Sequence, residues 1–150
     1  MNITLREIKK SDSKQLLKLI TELAKFEKLK PPSLSAQKRL INDIFKKNSN
    51  LKVLVAESQK GLIAYAFYFF TYSSFLAQPT LYLEDIYISS EYQKCGIGTC
   101  IFKELLNIAK QYKCGRIEFI VLKWNKNAIK FYKKFNAMEL KDWKFFRINI

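Results

Sequence analysis

The residues able to do chemistry in this 150-residue chain lie in three short stretches. The first is Glu84-Asp85, two adjacent carboxylates inside the apolar run LYLEDIYI, Leu81 to Ile88. A carboxylate among apolar neighbours is costly unless paired or used, and its pKa tends to rise. That suits a base near neutrality, working through water. It equally suits one structural ion pair and one edge-exposed acid. Neighbouring strand residues point to opposite faces, so the two acids are expected to do different jobs.

The second stretch is QKCGIGT, Gln93 to Thr99, which holds two of the chain's four glycines, Gly96 and Gly98. A strand-like run precedes it and a helix-like run follows. A helix start presents unpaired N–H groups and about half a positive charge. Glycine lets the backbone approach a ligand closely and take positive φ. The amides of Cys95, Gly96, Ile97, Gly98 and Thr99 can therefore ring a phosphate, with the Thr99 hydroxyl and the Lys94 charge beside them. The turn lacks the third glycine of a dinucleotide fingerprint and the Gly-Lys-Ser/Thr ending of a P-loop. Read alone, it also fits a plain tight connection. The third stretch is WNKNAIKFYKKFNA, Trp124 to Ala137. Asn125 suits a helix cap, a ligand contact, or both. Tyr132 suits a proton donor or a packed tyrosine.

Composition narrows the chemistry. With no histidine, there is no Ser-His-Asp triad, no Cys-His pair and no imidazole base. Any acid or base is Asp, Glu, Tyr, Lys, Cys or a chain terminus. Cys95, Cys100 and Cys114 form no CxxC array, which with the missing histidine argues against a conventional zinc site; no metal is expected. The net charge of +14 points to an anionic partner or to a lysine-rich solvated surface. The lysines are spread along the chain, which favours the surface reading. Apolar residues make up 49%, which argues against global disorder. No apolar run reaches the ~18 residues of a membrane span. The N-terminal MNITLREIKK lacks a signal-peptide pattern, so a cytoplasmic location is the expectation.

Around these stretches the pattern predicts one domain with a mixed sheet and helices on both faces. ITLREI reads as a first strand. A helix is predicted from about Ser13 to Phe26, capped by Ser11 or Asp12, and a second one capped by Ser35. LKVLVAE and GLIAYAFYFFTY read as a hairpin, and LYLEDIYI as the next strand. A long helix follows to about Tyr112, then the strand RIEFIVL, then a helix capped at Asn125. NAMEL and WKFFRINI read as two closing strands.

Together, Gln93-Lys94-Cys95-Gly96-Ile97-Gly98 and the later Asn125 and Phe131-Tyr132 resemble the acetyl-CoA-binding core of the GCN5-related N-acetyltransferase (GNAT) superfamily. The resemblance covers nearly the whole chain. LITELAKFEK, FYFFTY, LYLEDIYI, GIGTCIFKELLNIA and EFIVLKWNKNAIKFYKKFNA, with the closing WKFFRI, are similar to the diamine branch (spermidine/spermine and thialysine acetyltransferases). It implies an α/β (α+β) GNAT fold, a mostly antiparallel sheet with helices on both faces. It implies acetyl transfer from acetyl-CoA directly to a small primary amine: a diamine, a polyamine or a lysine-like amino acid. Glu84 takes the place of the proposed base, and Tyr132 that of the acid protonating the leaving thiolate. Asp85 takes the place of an amine contact. Backbone groups of Ile86, Tyr87 and Ile88 pair with the pantetheine arm, and Asn125 and Tyr132 are cofactor contacts. Cys95 is a spectator. A homodimer is the expectation from that branch. The residue pattern, with no nucleic-acid-binding signature and no membrane-length apolar run, argues for no nucleic-acid and no membrane partner.

One region departs from that branch. In FEKLKPPSLS, Glu27 survives, but Lys28, Lys30, Pro31 and Pro32 replace most of the expected acidity. A long polycation then binds less well, and a shorter amine fits better. Glu22, Glu27, Glu84 and Asp85 form a small acidic pocket if they converge. The competing readings are a protein lysine or N-terminal acetyltransferase, a basic nucleic-acid-binding module without catalysis, and a catalytically silent acetyl-CoA sensor. An open groove would favour the first and a contiguous basic face with stacking aromatics the second. Retained Glu84 and Tyr132 argue against the sensor.

Overall fold

Leu16, Leu19 and Leu23 recur at helical spacing, and α1 (Ser13–Phe26) buries all three. They pack with Ile44 of α2 (Leu34–Phe45) against Val53, Val55, Tyr65, Phe67 and Tyr87 of the sheet. Burying each large apolar side chain stabilises the fold by roughly 1.5–3 kcal/mol. The computed structural model describes residues 2–150. Contacts divide the chain into two compact units, one running through Phe119 and one from Ile120 to Ile150.

The first unit holds a sheet of β1 (Thr4–Glu7), β2 (Lys52–Ser58), β3 (Gly61–Ser73), β4 (Gln78–Ile88) and β5 (Arg116–Phe119), in that spatial order. The first three pairings are antiparallel and β4–β5 is parallel. On the α1 side lie Val53, Val55, Tyr65 and Phe67. Their alternates Leu54, Ala56, Ala64, Ala66 and Tyr68 are buried too, because α3 (Ile97–Gln111) covers the other face with Ile101, Phe102 and Leu105.

The expected caps need two corrections. Ser33, not Ser35, caps α2, accepting from the Ala36 amide at 3.2 Å. Asp12 precedes α1 but makes no capping bond, because its carboxylate is already taken. It accepts from Arg6 at 2.7 Å and from the Lys9 amide at 2.8 Å, while Arg6 also binds Glu57 at 2.8 Å. The Arg6 guanidinium holds Asp12 below the usual carboxylate range.

Two strand expectations also change. The strand expected from Arg116 through Leu122 stops at Phe119. Its ladder with β4 ends at Leu83↔Phe119, where β4 becomes irregular. The two closing strands, NAMEL and WKFFRINI, do not form, and residues 138–150 hold no strand. Trp143, Phe145, Phe146 and Ile148 are exposed. Alternation defines a face, but a strand also needs a neighbour for its backbone groups, and no described strand pairs with this segment. The second unit is built on α4 (Lys126–Lys133), with Phe131 in edge-on ring contact with Tyr132 and Phe135.

No helix among the described residues is long and apolar enough to cross a membrane.

Candidate active site

Phe67 pairs with Asp85, yet Tyr68 pairs with Leu83, so Glu84 is an extra residue on β4. This is a β-bulge, which bends a strand and re-aims its side chains. The alternation expected to separate Glu84 from Asp85 is suspended there. Glu84 is exposed and Asp85 is partly buried. Asp85 is pushed up to about 6, first by burial, then by the Glu84 charge, then by Glu27. Glu27, at the C-terminal end of α1, is itself raised by burial. Glu27, Glu84 and Asp85 are thus brought into one electrostatic neighbourhood by α1 and the bulge. Glu22 is turned toward Tyr87 instead, whose phenol is raised by burial and then by that carboxylate. A carboxyl that titrates near neutrality and stands among other acids attracts a cation, such as an ammonium group.

The same strand leads to the amide turn. Ile86, Tyr87 and Ile88 pair with Ala66, Tyr65 and Ala64 of β3. On the other side, β5 pairs only with Thr80 to Leu83, so Glu84 to Ile88 have no strand partner there among the described residues. The Gln93 side chain donates to the Ile88 carbonyl at 3.1 Å and closes the strand end onto the turn. Lys94 and Gly96 both adopt left-handed backbone, φ 63° and 82°. At Gly96 this is where glycine carries no steric penalty. A methyl group there would meet no atom within 4 Å, so the space over the turn is open.

α3 begins immediately after. Its first bond runs from the Cys100 amide to the Gly96 carbonyl at 3.1 Å, and no side chain caps it. The amides of Ile97, Gly98 and Thr99 therefore precede the helical ladder, as at any helix start. Lys94, Cys95 and Gly96 are exposed. The Cys95 thiol contacts the Gln93 carbonyl at 3.5 Å. This open, uncapped, glycine-led start fits an anion the size of a diphosphate.

Asn125 and Tyr132 belong to the second unit. Asn125 caps α4, its side-chain oxygen accepting from the Ala128 amide at 3.1 Å. Tyr132 is buried, and burial raises its phenol above the usual range. A phenol so placed keeps its proton at neutral pH, as a proton donor must.

The sequence reading missed Tyr65. It lies at the centre of β3, fully buried, with a hydroxyl that has no hydrogen-bond partner. Its only sequence signal was a hydroxyl-bearing ring in an apolar strand, which pattern alone does not separate from phenylalanine. The bulge had a faint signal in two consecutive carboxylates at mid-strand.

Residues 15–137 match the family model described as Acetyltransferase (GNAT) family. The thialysine N-epsilon-acetyltransferase of Sus scrofa is 34% identical over 157 residues, an alignment covering 97% of this chain and 92% of that protein. That of Mus musculus is 36% identical over 154 residues, covering 95% and 90%. A crystal structure of a possible acetyltransferase from Clostridium difficile 630 aligns over 100% of this chain and 99% of that one, with TM-score 0.86. At 21% identity that likeness speaks to the fold. A family match spanning most of the chain, relatives matched nearly end to end and a shared fold leave one assignment: the chain belongs to the acetyltransferase (GNAT) family and is an N-acetyltransferase.

Proposed function

We propose that this enzyme transfers acetyl from acetyl-CoA directly to a small primary amine while both substrates are bound. The observation that carries the reading is the acidic corner, where Glu27 of α1 and Glu84 and Asp85 of the β4 bulge share one field. An ammonium docks where carboxylates converge, and Asp85 and Glu27 are its contacts in this reading. The names of the two relatives specify the ε-nitrogen of thialysine, an amine of the lysine-like class. Lys28 and Lys30 beside Glu27 favour short diamines and lysine-like amino acids over long polyamines.

Acetyl-CoA supplies the thioester. Its diphosphate would be held by the amides of Cys95 to Thr99 with Gln93 and Lys94, and its pantetheine arm by the open backbone of Ile86 to Ile88. By family resemblance Asn125 is a further cofactor contact. In this reading Glu84, exposed on the bulge, takes a proton from the bound ammonium through water, and the freed nitrogen lone pair attacks the thioester carbonyl. The C–N bond forms as the C–S bond breaks, and by family resemblance Tyr132 gives its proton to the departing sulfur and regains one, through water, from the acetylated nitrogen. In this reading the enzyme is a single-domain, cytoplasmic homodimer, the homodimer carried by the family resemblance, and acts without nucleic-acid, membrane or metal partners.

The test is thiol release from acetyl-CoA with a panel of diamines, polyamines, lysine analogues and peptides. Turnover concentrated on short diamines or lysine analogues supports the reading. Turnover on peptides alone moves the acceptor to protein amines. No turnover on any amine overturns it.

A further inference from the structure

Tyr65 has 0% of its surface exposed, and its hydroxyl satisfies no hydrogen-bond geometry with any protein atom. A buried hydroxyl without a partner costs stability, and phenylalanine would fill the same space without that cost. The sheet register shows what the hydroxyl faces. Tyr65 pairs with Tyr87 and Phe67 pairs with Asp85, so Asp85 is the diagonal cross-strand neighbour of Tyr65 on the α1 side. Diagonal neighbours lie within reach of a long aromatic side chain. Burial raises the Tyr65 phenol, and Asp85 and then Glu27 add to that rise. Among the groups facing Asp85, Glu84 of β4 and Glu27 of α1 oppose its ionisation, and only Tyr65 of β3 favours it. Glu22 of α1 faces Tyr87 one pair further along.

We propose that Tyr65 is a positioning residue for Asp85, its hydroxyl donating to the carboxylate and keeping it anionic and aimed for the ammonium of the acceptor. The proposal rests on reading the acidic corner as the acceptor site. It adds a residue that touches neither substrate. The loose geometry is expected to tighten once Asp85 ionises, whether rising pH or a bound cation drives that ionisation. A hydrogen bond to the charged form favours that form.

The test is Tyr65→Phe, which keeps the ring and removes only the hydroxyl. Carbon-13 NMR of the Asp85 carboxyl, with no substrate present, should show its midpoint rising by about 1, the worth of a hydrogen bond to a charged group. In kinetics, the acidic limb of kcat/KM for the amine should move upward equally. KM for the amine should rise near pH 6.5, with kcat and coenzyme A affinity unchanged. A merely structural tyrosine would alter the melting temperature and leave the midpoint in place, and an unchanged midpoint overturns the proposal. If the wild type acetylates no amine, the functional reading falls while the NMR comparison still decides the role of Tyr65. If Tyr65→Phe does not fold, the wild-type hydroxyl proton, sheltered from solvent, gives the answer. Its chemical shift should titrate with Asp85, and a shift independent of pH overturns the proposal.

Discussion

Asp85→Asn should make the protein more stable and a worse enzyme. Asp85 is raised from 3.8 to about 6, by burial first and by Glu84 and Glu27 after it. A carboxyl with a raised folded-state pKa binds more protons folded than unfolded between those two values. Stability therefore falls as pH rises through that window, and the penalty is complete above the folded value. Two pKa units correspond to about 3 kcal/mol at pH 8, and roughly half of that remains at pH 5. Asparagine has the same shape and carries no charge, so it escapes the penalty at every pH. For a chain of this size, each kcal/mol moves the melting temperature by ~2–4 °C, so the variant should melt roughly 6–12 °C higher at pH 8. The gain should halve by about pH 5. In the thiol-release assay, KM for the amine should rise at least ~10-fold, the worth of one charge-assisted contact. The measurement is paired thermal unfolding of wild type and variant across pH 5–8. The reasoning would be falsified if the variant were no more stable at pH 8, or if its advantage did not shrink in acid. Either result would mean that Asp85 is better solvated or paired than its position at the bulge implies.

Further outcomes follow from the turn and from the second unit. Gly96→Ala forces an L-residue to φ 82° without any clash. It should cost about 1–2 kcal/mol of strain and weaken coenzyme A binding about tenfold by calorimetry. Unchanged affinity would remove the turn from the cofactor site. Asn125→Ala removes the α4 cap. It should cost about 1 kcal/mol in thermal unfolding, with a loss of coenzyme A affinity only if the side chain also touches the cofactor. Tyr132→Phe should fold and bind coenzyme A normally while turnover falls by about 10²–10⁴-fold, and full turnover would reject its role as acid.

Local features were legible because their physics is local. α1 and α3 follow from apolar spacing, and the α4 cap from an asparagine ahead of a helical run. The turn at Gly96 was legible because only glycine takes positive φ without penalty. The alternating C-terminal run misled, since Trp143, Phe145 and Ile148 show a strand's pattern without a strand's partner.

By itself the sequence determined which groups are available: carboxylates, a phenol and an amide turn, with no imidazole. Tertiary structure alone decided which of them meet. The bulge at Glu84 is a property of the register between β3 and β4, so no single strand encodes it. The approach of Glu27 to Asp85 depends on how α1 lies on the sheet. Tyr65 became distinct from phenylalanine only once burial had removed water from its hydroxyl and left Asp85 in reach. Side-chain identity sets the chemistry a group can do, and desolvation and proximity, which exist only after folding, set whether it does it.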